Sequence, residues 1–283
     1  MASYPGNRVR RYNEQGMYIR CREVFDLTTE SEPISQGLAE RSAPDDKTLL
    51  CLHGLGESGL CFEHLLEFHA LGEWRMLVPD LPGYGRSTWP TRPLTLASQA
   101  DHLASWLRAT GEGPLAVLGH SLGGVLGLIF CENHPNLVSH FVNVDGNLSE
   151  PDCVFSGQAA NQDLTEFLAA GFAELCAGVY EKGKKDPAHR DYYVSLRLCN
   201  PQAFHLNSQE LVQMSRQGNL AQRLAALPLP THYIAGVPDG VSKESQDLLD
   251  KSGVTWSSVK PAGHWPFIDR PDVFVERLQE ALS

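Results

Sequence analysis

The sequence has little that would hold a metal, cross a membrane or bind a nucleic acid. Its seven cysteines, at positions 21, 51, 61, 131, 153, 176 and 199, include no C-x-x-C pair. No His-Glu-x-x-His run and no clustered Cys/His spacing occurs, so a zinc site is not expected. An odd number of dispersed cysteines in mostly apolar surroundings reads as reduced core residues of a cytoplasmic protein. Positive charge is scarce: 23 Lys and Arg against 34 Asp and Glu leave a net −11. That balance argues against non-specific binding to nucleic acid or to an anionic membrane. The small basic patch at 182–185 reads as a solvated loop. No apolar run reaches the ~20 residues of a bilayer span, and the longest, around 122–130, is broken by glycines. The first residues have no apolar signal-peptide core, and there is no repeat, low-complexity tract or dinucleotide fingerprint. No metal or organic cofactor is expected. The expected partner is a small-molecule substrate, and the chain is expected to be a monomer or small homo-oligomer.

What is present belongs to an ordinary globular protein, with 42% hydrophobic and 20% charged residues in 283. That length suits one α/β domain, alone or with an insertion. Segments 18–27, 48–52, 75–78, 115–118, 137–144, 231–235 and 255–259 read as strands, and 28–47 as a polar surface connection. Between them lie helical faces: Phe62, Leu65, Leu66 and His69 in 61–71, then Leu96, Ala100, Leu103 and Leu107 after a Thr95 cap, and finally Phe274, Leu278 and Leu282 after Pro271. Alternation of this kind predicts a mostly parallel sheet with helices on both faces and a ligand site at the carboxyl ends of the strands. From about 147 to 227 the pattern changes to helices alone. Leu164, Leu168, Phe172, Leu175 and Val179 form one amphipathic face and 211–224 another. The chain is therefore divided into a core of residues 1–146 and 228–283 and a helical cap, 147–227, inserted between two strands.

The most informative stretch is 115–124, where an apolar strand runs into Gly119-His120-Ser121-Leu122-Gly123 and on into an apolar helix. Strand, serine turn and helix in that order make G-x-S-x-G a nucleophile elbow. A turn this tight needs positions without Cβ on either side of the serine. It lifts the Ser121 hydroxyl above the sheet and points the Leu122 N–H, at a helix N-terminus, towards a developing oxyanion.

Such a serine needs an oriented base. Of the 11 histidines, His264 stands in a Gly/Pro turn directly after a strand, where its imidazole can reach the elbow. His53 and His120 read as structural neighbours of their turns. Two carboxylates qualify to orient the imidazole: Asp239, after the strand at 231–235, and Asp145, after the strand that follows the elbow helix. Either gives the order Ser, Asp, His.

The motifs His53-Gly-Leu-Gly56, Asp80-Leu-Pro-Gly-Tyr-Gly-Arg-Ser87, Gly119-His-Ser-Leu-Gly-Gly124, Gly236-x-x-Asp239 and Gly263-His264 together resemble the α/β-hydrolase fold over nearly the whole chain. The resemblance implies Ser121 as nucleophile, His264 as base, and the N–H groups of Leu55 and Leu122 as oxyanion donors. It places the acid at Asp239 in the usual arrangement. The run Asp145-Gly146-Asn147-Leu148 is instead similar to a subgroup with its acid before Gly-Asn-Leu. With serine at the elbow, the attack by aspartate used by the fold's epoxide hydrolases and dehalogenases is excluded. The expectation is an acyl-enzyme on Ser121 formed from an ester, thioester, lactone or amide of a small, moderately apolar substrate. Acyl transfer, C–C bond hydrolysis and a receptor-like role without turnover use the same residues or the same pocket. Phe155, Phe167, Phe172, Tyr180, Phe204 and Met214 either line that pocket or pack the cap onto the sheet.

Overall fold

The computed structural model describes residues 8–10, 19–22, 47–68 and 71–283. The connection expected over 28–46, most of the strand expected over 18–27, and His69 lie outside the described residues. Eight strands form one sheet: β1 Arg8–Arg10, β2 Ile19–Arg22, β3 Lys47–Leu52, β4 Trp74–Pro79, β5 Leu115–His120, β6 Val138–Val144, β7 Thr231–Pro238 and β8 Thr255–Ala262. Their spatial order is β1-β2-β4-β3-β5-β6-β7-β8. β3 to β8 pair in parallel, while β1 and β2 are antiparallel.

The buried strands read as continuous apolar runs because both faces are covered. Leu49 to Leu52 and Val117 to Leu118 are wholly inaccessible. The helix Leu96–Ala109 starts where expected, with the Thr95 side chain accepting from the Ser98 N–H. It buries Leu96, Ala100, Leu103 and Leu107. Helix Pro271–Ala281 turns Phe274 and Leu278 inward. Among the described residues no helix is long and apolar enough to cross a membrane.

Two periodicity readings are corrected. Segment Gly59–Glu67 is a 3₁₀ helix, not an α-helix, capped by Ser58; Phe62 and Leu65, three apart, share its buried face. The face drawn through Leu164 and Leu168 is broken by a π-turn, Phe167–Gly171, in which the Phe172 N–H donates to the Phe167 carbonyl. That turn takes up one extra residue and shifts the register. Phe167 is buried at 1%, while Leu164 and Leu168 are 42% exposed. The face read through 211–224 belongs to two helices, Pro201–Arg216 and Leu220–Ala225.

Between β6 and β7 every regular element is helical, from Glu150–Asp152 to Leu220–Ala225. Asp152 fixes where this insertion leaves the sheet. One of its oxygens accepts from the Leu148 and Ser149 N–H groups and from Ser245 Oγ, and the other accepts from the Ser242 N–H.

Candidate active site

The register brings the candidate residues to one edge of the sheet. Leu52 pairs with Gly119, His120 with Val144, and Val144 with Ile234. Leu55, Ser121, Asp145 and His264 each follow a strand end by one to three residues, and the strands are parallel.

Ser121 sits at φ 52°, ψ −119°, a backbone conformation that a non-glycine residue holds only when its surroundings enforce it. Here they do. A Cβ on Gly119 would lie 2.2 Å from the Gly123 carbonyl oxygen, and one on Gly123 would lie 2.1 Å from the Leu52 oxygen. Strand β3, the elbow and the helix Leu122–Asn133 therefore approach more closely than any side chain allows. As the first residue of that helix, Leu122 has an N–H without an intrahelical acceptor.

Ser121 and His264 line one cavity of about 20 Å³, together with Leu55, Asn147, Phe155 and Tyr192. The imidazole also borders an open cleft of about 520 Å³ walled by Asp152, Phe155, Asp186, Asp239 and Trp265. His264 Nδ1 lies 3.8 Å from Asp145 Oδ2, about 1 Å longer than a charge-assisted hydrogen bond. Asp145 is buried at 1% and adopts φ 46°. Its Oδ1 accepts from the Gly236 N–H at 2.8 Å, and its Oδ2 has no hydrogen-bond partner. The turn beneath it is pinned by Asn143, which accepts from the Gly146 N–H, and by Tyr233, which donates to the Gly146 carbonyl.

Asp239 is placed differently. It is exposed, lines the outer cleft, and makes no ion pair with His264, whose ion-pair partner is Asp145. Asp145 reaches His264 across β7 because two glycines clear the way. A Cβ on Gly240 would lie 2.3 Å from Asp145 Oδ2, and one on Gly236 would lie 2.9 Å from it.

Burial pushes the Asp145 carboxyl well above its usual range. His264 is pushed down to about 4, first by burial and then by the His120 charge, against the opposing pull of Glu57, Asp152 and the Gly240 carbonyl. Burial thus disfavours the charged form of each group. An imidazole acts as a base only when neutral, and a lowered pKa keeps it neutral until the solution is well acid. The kcat/KM profile should therefore stay flat between pH 6 and 8 and fall as pH drops through about 4. An acid limb centred near the ordinary histidine value would contradict this assignment.

Sequence reading did not single out Glu57, which organises the site from below. Its carboxylate accepts from the Gly54 N–H at 2.6 Å, from Trp265 Nε1 at 2.6 Å and from His120 Nδ1 at 3.0 Å. The other nitrogen of His120 lies 2.7 Å from the His264 carbonyl. Glu57 and His120 are thus a buried pair, the side chains 3% and 0% exposed. Burial pulls the Glu57 carboxyl up, but the His120 charge and the three hydrogen bonds outweigh it and hold the group at about 2. His53, the other structural histidine, accepts from the Leu81 N–H at Nε2. The signal for Glu57 was an acid two residues beyond Leu55, in the same loop.

Of the aromatic residues expected in the cap, Phe155 lines the serine cavity. Phe167, Phe172 and Phe204 pack on one another, with ring centroids 5.8–5.9 Å apart. Tyr180 is half exposed.

A family profile described as alpha/beta hydrolase fold matches residues 47–223. A 2-succinyl-6-hydroxy-2,4-cyclohexadiene-1-carboxylate synthase from Pectobacterium atrosepticum is 30% identical over 261 residues, covering 85% of this chain and 96% of that protein. A pimeloyl-[acyl-carrier protein] methyl ester esterase from Photorhabdus laumondii is 29% identical, covering 86% and 95%. Among solved structures, a hydrolase from Pseudomonas aeruginosa superposes with a TM-score of 0.72 at 21% identity, covering 94% of each chain. That last likeness is one of fold.

Proposed function

Because this chain belongs to the alpha/beta hydrolase fold family, we propose that it is a serine hydrolase acting through an acyl-enzyme on Ser121, with His264 as base and Asp145 as the acid that orients it. The observation that carries this reading is the strained Ser121 sharing a cavity with His264, whose Nδ1 faces a buried carboxylate oxygen without another partner.

Ser121 Oγ attacks the carbonyl carbon of an ester, thioester, lactone or amide and gives its proton to His264. The carbonyl oxygen becomes an oxyanion held by the N–H groups of Leu55 and Leu122. Collapse expels the leaving group, which takes the proton from His264. Water then adds to the acyl carbon, its proton passes to His264 and on to Ser121 Oγ as that oxygen departs, and a free acid is released. Asp145 stabilises the imidazolium in both half-reactions. The helical insertion, residues 147–227, acts as the cap that closes over the serine. The methyl ester esterase among the relatives supports acyl chemistry for this arrangement.

A fluorophosphonate probe should label the native protein and leave Ser121→Ala unlabelled. Labelling that survives the substitution would remove Ser121 from the mechanism. No labelling of either would favour a receptor-like protein.

A further inference from the structure

Two residues that line the serine cavity each carry a buried polar atom without a partner, and the acyl mechanism uses neither. Asn147 is 4% exposed, and its Nδ2 donates to Cys153 Sγ at 3.6 Å, while its Oδ1 accepts nothing. Tyr192, in helix Pro187–Leu196, is also 4% exposed, and its hydroxyl makes no hydrogen bond. Both residues line the cavity that holds Ser121 and His264. The tyrosine oxygen comes close to the oxyanion loop, since a Cβ on Gly56 would lie 2.7 Å from it. Leaving a buried donor or acceptor unmet costs about 1–3 kcal/mol each. Two such groups in one cavity beside a nucleophile mark a place completed by what enters it.

Resting on the serine-hydrolase reading above, we propose that Asn147 and Tyr192 form the acyl subsite, and that it takes a short acyl group bearing a hydroxyl next to the reacting carbonyl. The chemistry selects a hydroxyl. A hydroxyl can accept a hydrogen bond from the Tyr192 O–H and donate one to Asn147 Oδ1. Burial keeps the Tyr192 hydroxyl protonated, its pKa held well above the ordinary tyrosine value, so it is available as a donor. Size sets the length: about 20 Å³ is room for about one water-sized group. The alcohol or amine side of the substrate lies beyond Phe155, which borders both this cavity and the open cleft of about 520 Å³.

Phenyl glycolate and phenyl propanoate test this directly, because they differ by a hydroxyl in place of a methyl group. After correction for their alkaline hydrolysis rates, the native protein should prefer the glycolate at least about tenfold in kcat/KM, as expected when a site built for a hydroxyl meets its apolar isostere. Tyr192→Phe, and separately Asn147→Ala, should bring the glycolate-to-propanoate ratio of kcat/KM down to about one. Equal rates on the two esters in the native protein, or equal losses on both in the variants, would overturn the subsite. Labelling of Ser121 by the fluorophosphonate probe keeps the two readings apart. Labelling without preference sinks the subsite alone, and neither labelling nor turnover sinks the hydrolase reading on which it rests.

Discussion

Asp145→Asn is expected to lower kcat on any turned-over ester by about 10³–10⁴-fold, the effect of losing the carboxylate that orients and charge-balances a catalytic imidazole. The fold should survive, because an asparagine oxygen still accepts from the Gly236 N–H as Oδ1 does now. KM should change little, since Asp145 is absent from the residues lining the serine cavity. Asp239→Asn, at an exposed position on the outer cleft, should alter kcat by no more than about twofold, in the range usual for surface changes. Single-turnover measurements on the two variants decide the matter. If the large loss falls on position 239 and the small one on 145, the acid is Asp239, and the 3.8 Å approach of Asp145 to His264 has no catalytic meaning.

The second large effect concerns stability. Glu57→Gln should destabilise the protein by about 3–5 kcal/mol, the usual cost of removing one partner of a buried ion pair. The amide offers one acceptor in place of two oxygens that now meet Gly54, His120 and Trp265. It also removes the negative charge that faces His120 Nδ1 at 3.0 Å. Urea unfolding of the variant against the native protein measures this. The pH dependence gives an independent check. The Glu57 carboxyl is held at about 2 in the folded protein, below its ordinary 4.5. A depressed carboxylate contributes its full stability above the unfolded value and loses it as pH falls through the folded one. The two proteins should therefore differ most above about pH 4.5 and converge towards pH 2. A gap that stays constant over that range would mean that packing, not charge, holds Glu57 in place.

The tight serine turn and the histidine that shares its cavity were legible because their signals are local. An elbow needs glycines at fixed offsets from its serine, and His264 follows a strand in a turn built of Gly and Pro. The mostly parallel sheet and the long helical stretch between two of its strands followed from alternation and its interruption. Which of the two carboxylates lies nearer the imidazole was not legible, because that depends on reach across a neighbouring strand. Asp145 and Asp239 both follow strand ends, and only the space left by Gly236 and Gly240 brings the first to the imidazole. The buried face of the insertion was misplaced at Leu164 and Leu168 for a related reason, while Leu175 and Val179 are buried as read. Periodicity assumes an unbroken α-helix, and nothing in Phe167–Gly171 announces a π-turn. The unmet hydrogen bonds of Asn147 and Tyr192 were not legible, because such a lack is a property of the surroundings and leaves no pattern in the chain.

The Glu57–His120 pair has a consequence for anyone rebuilding this enzyme. Through it the loop after β3, the elbow after β5 and the loop after β8 share one set of bonds: Gly54 and Trp265 to the carboxylate, and the ring of His120 to the backbone of His264. Loop exchange between relatives treats such segments as interchangeable modules. In this chain they are one part made from three distant pieces of sequence. A graft that brings in a new loop after β8 without a Trp265 equivalent leaves a carboxylate oxygen unbonded beneath the elbow. A chimaera made here should carry all three segments from the same parent.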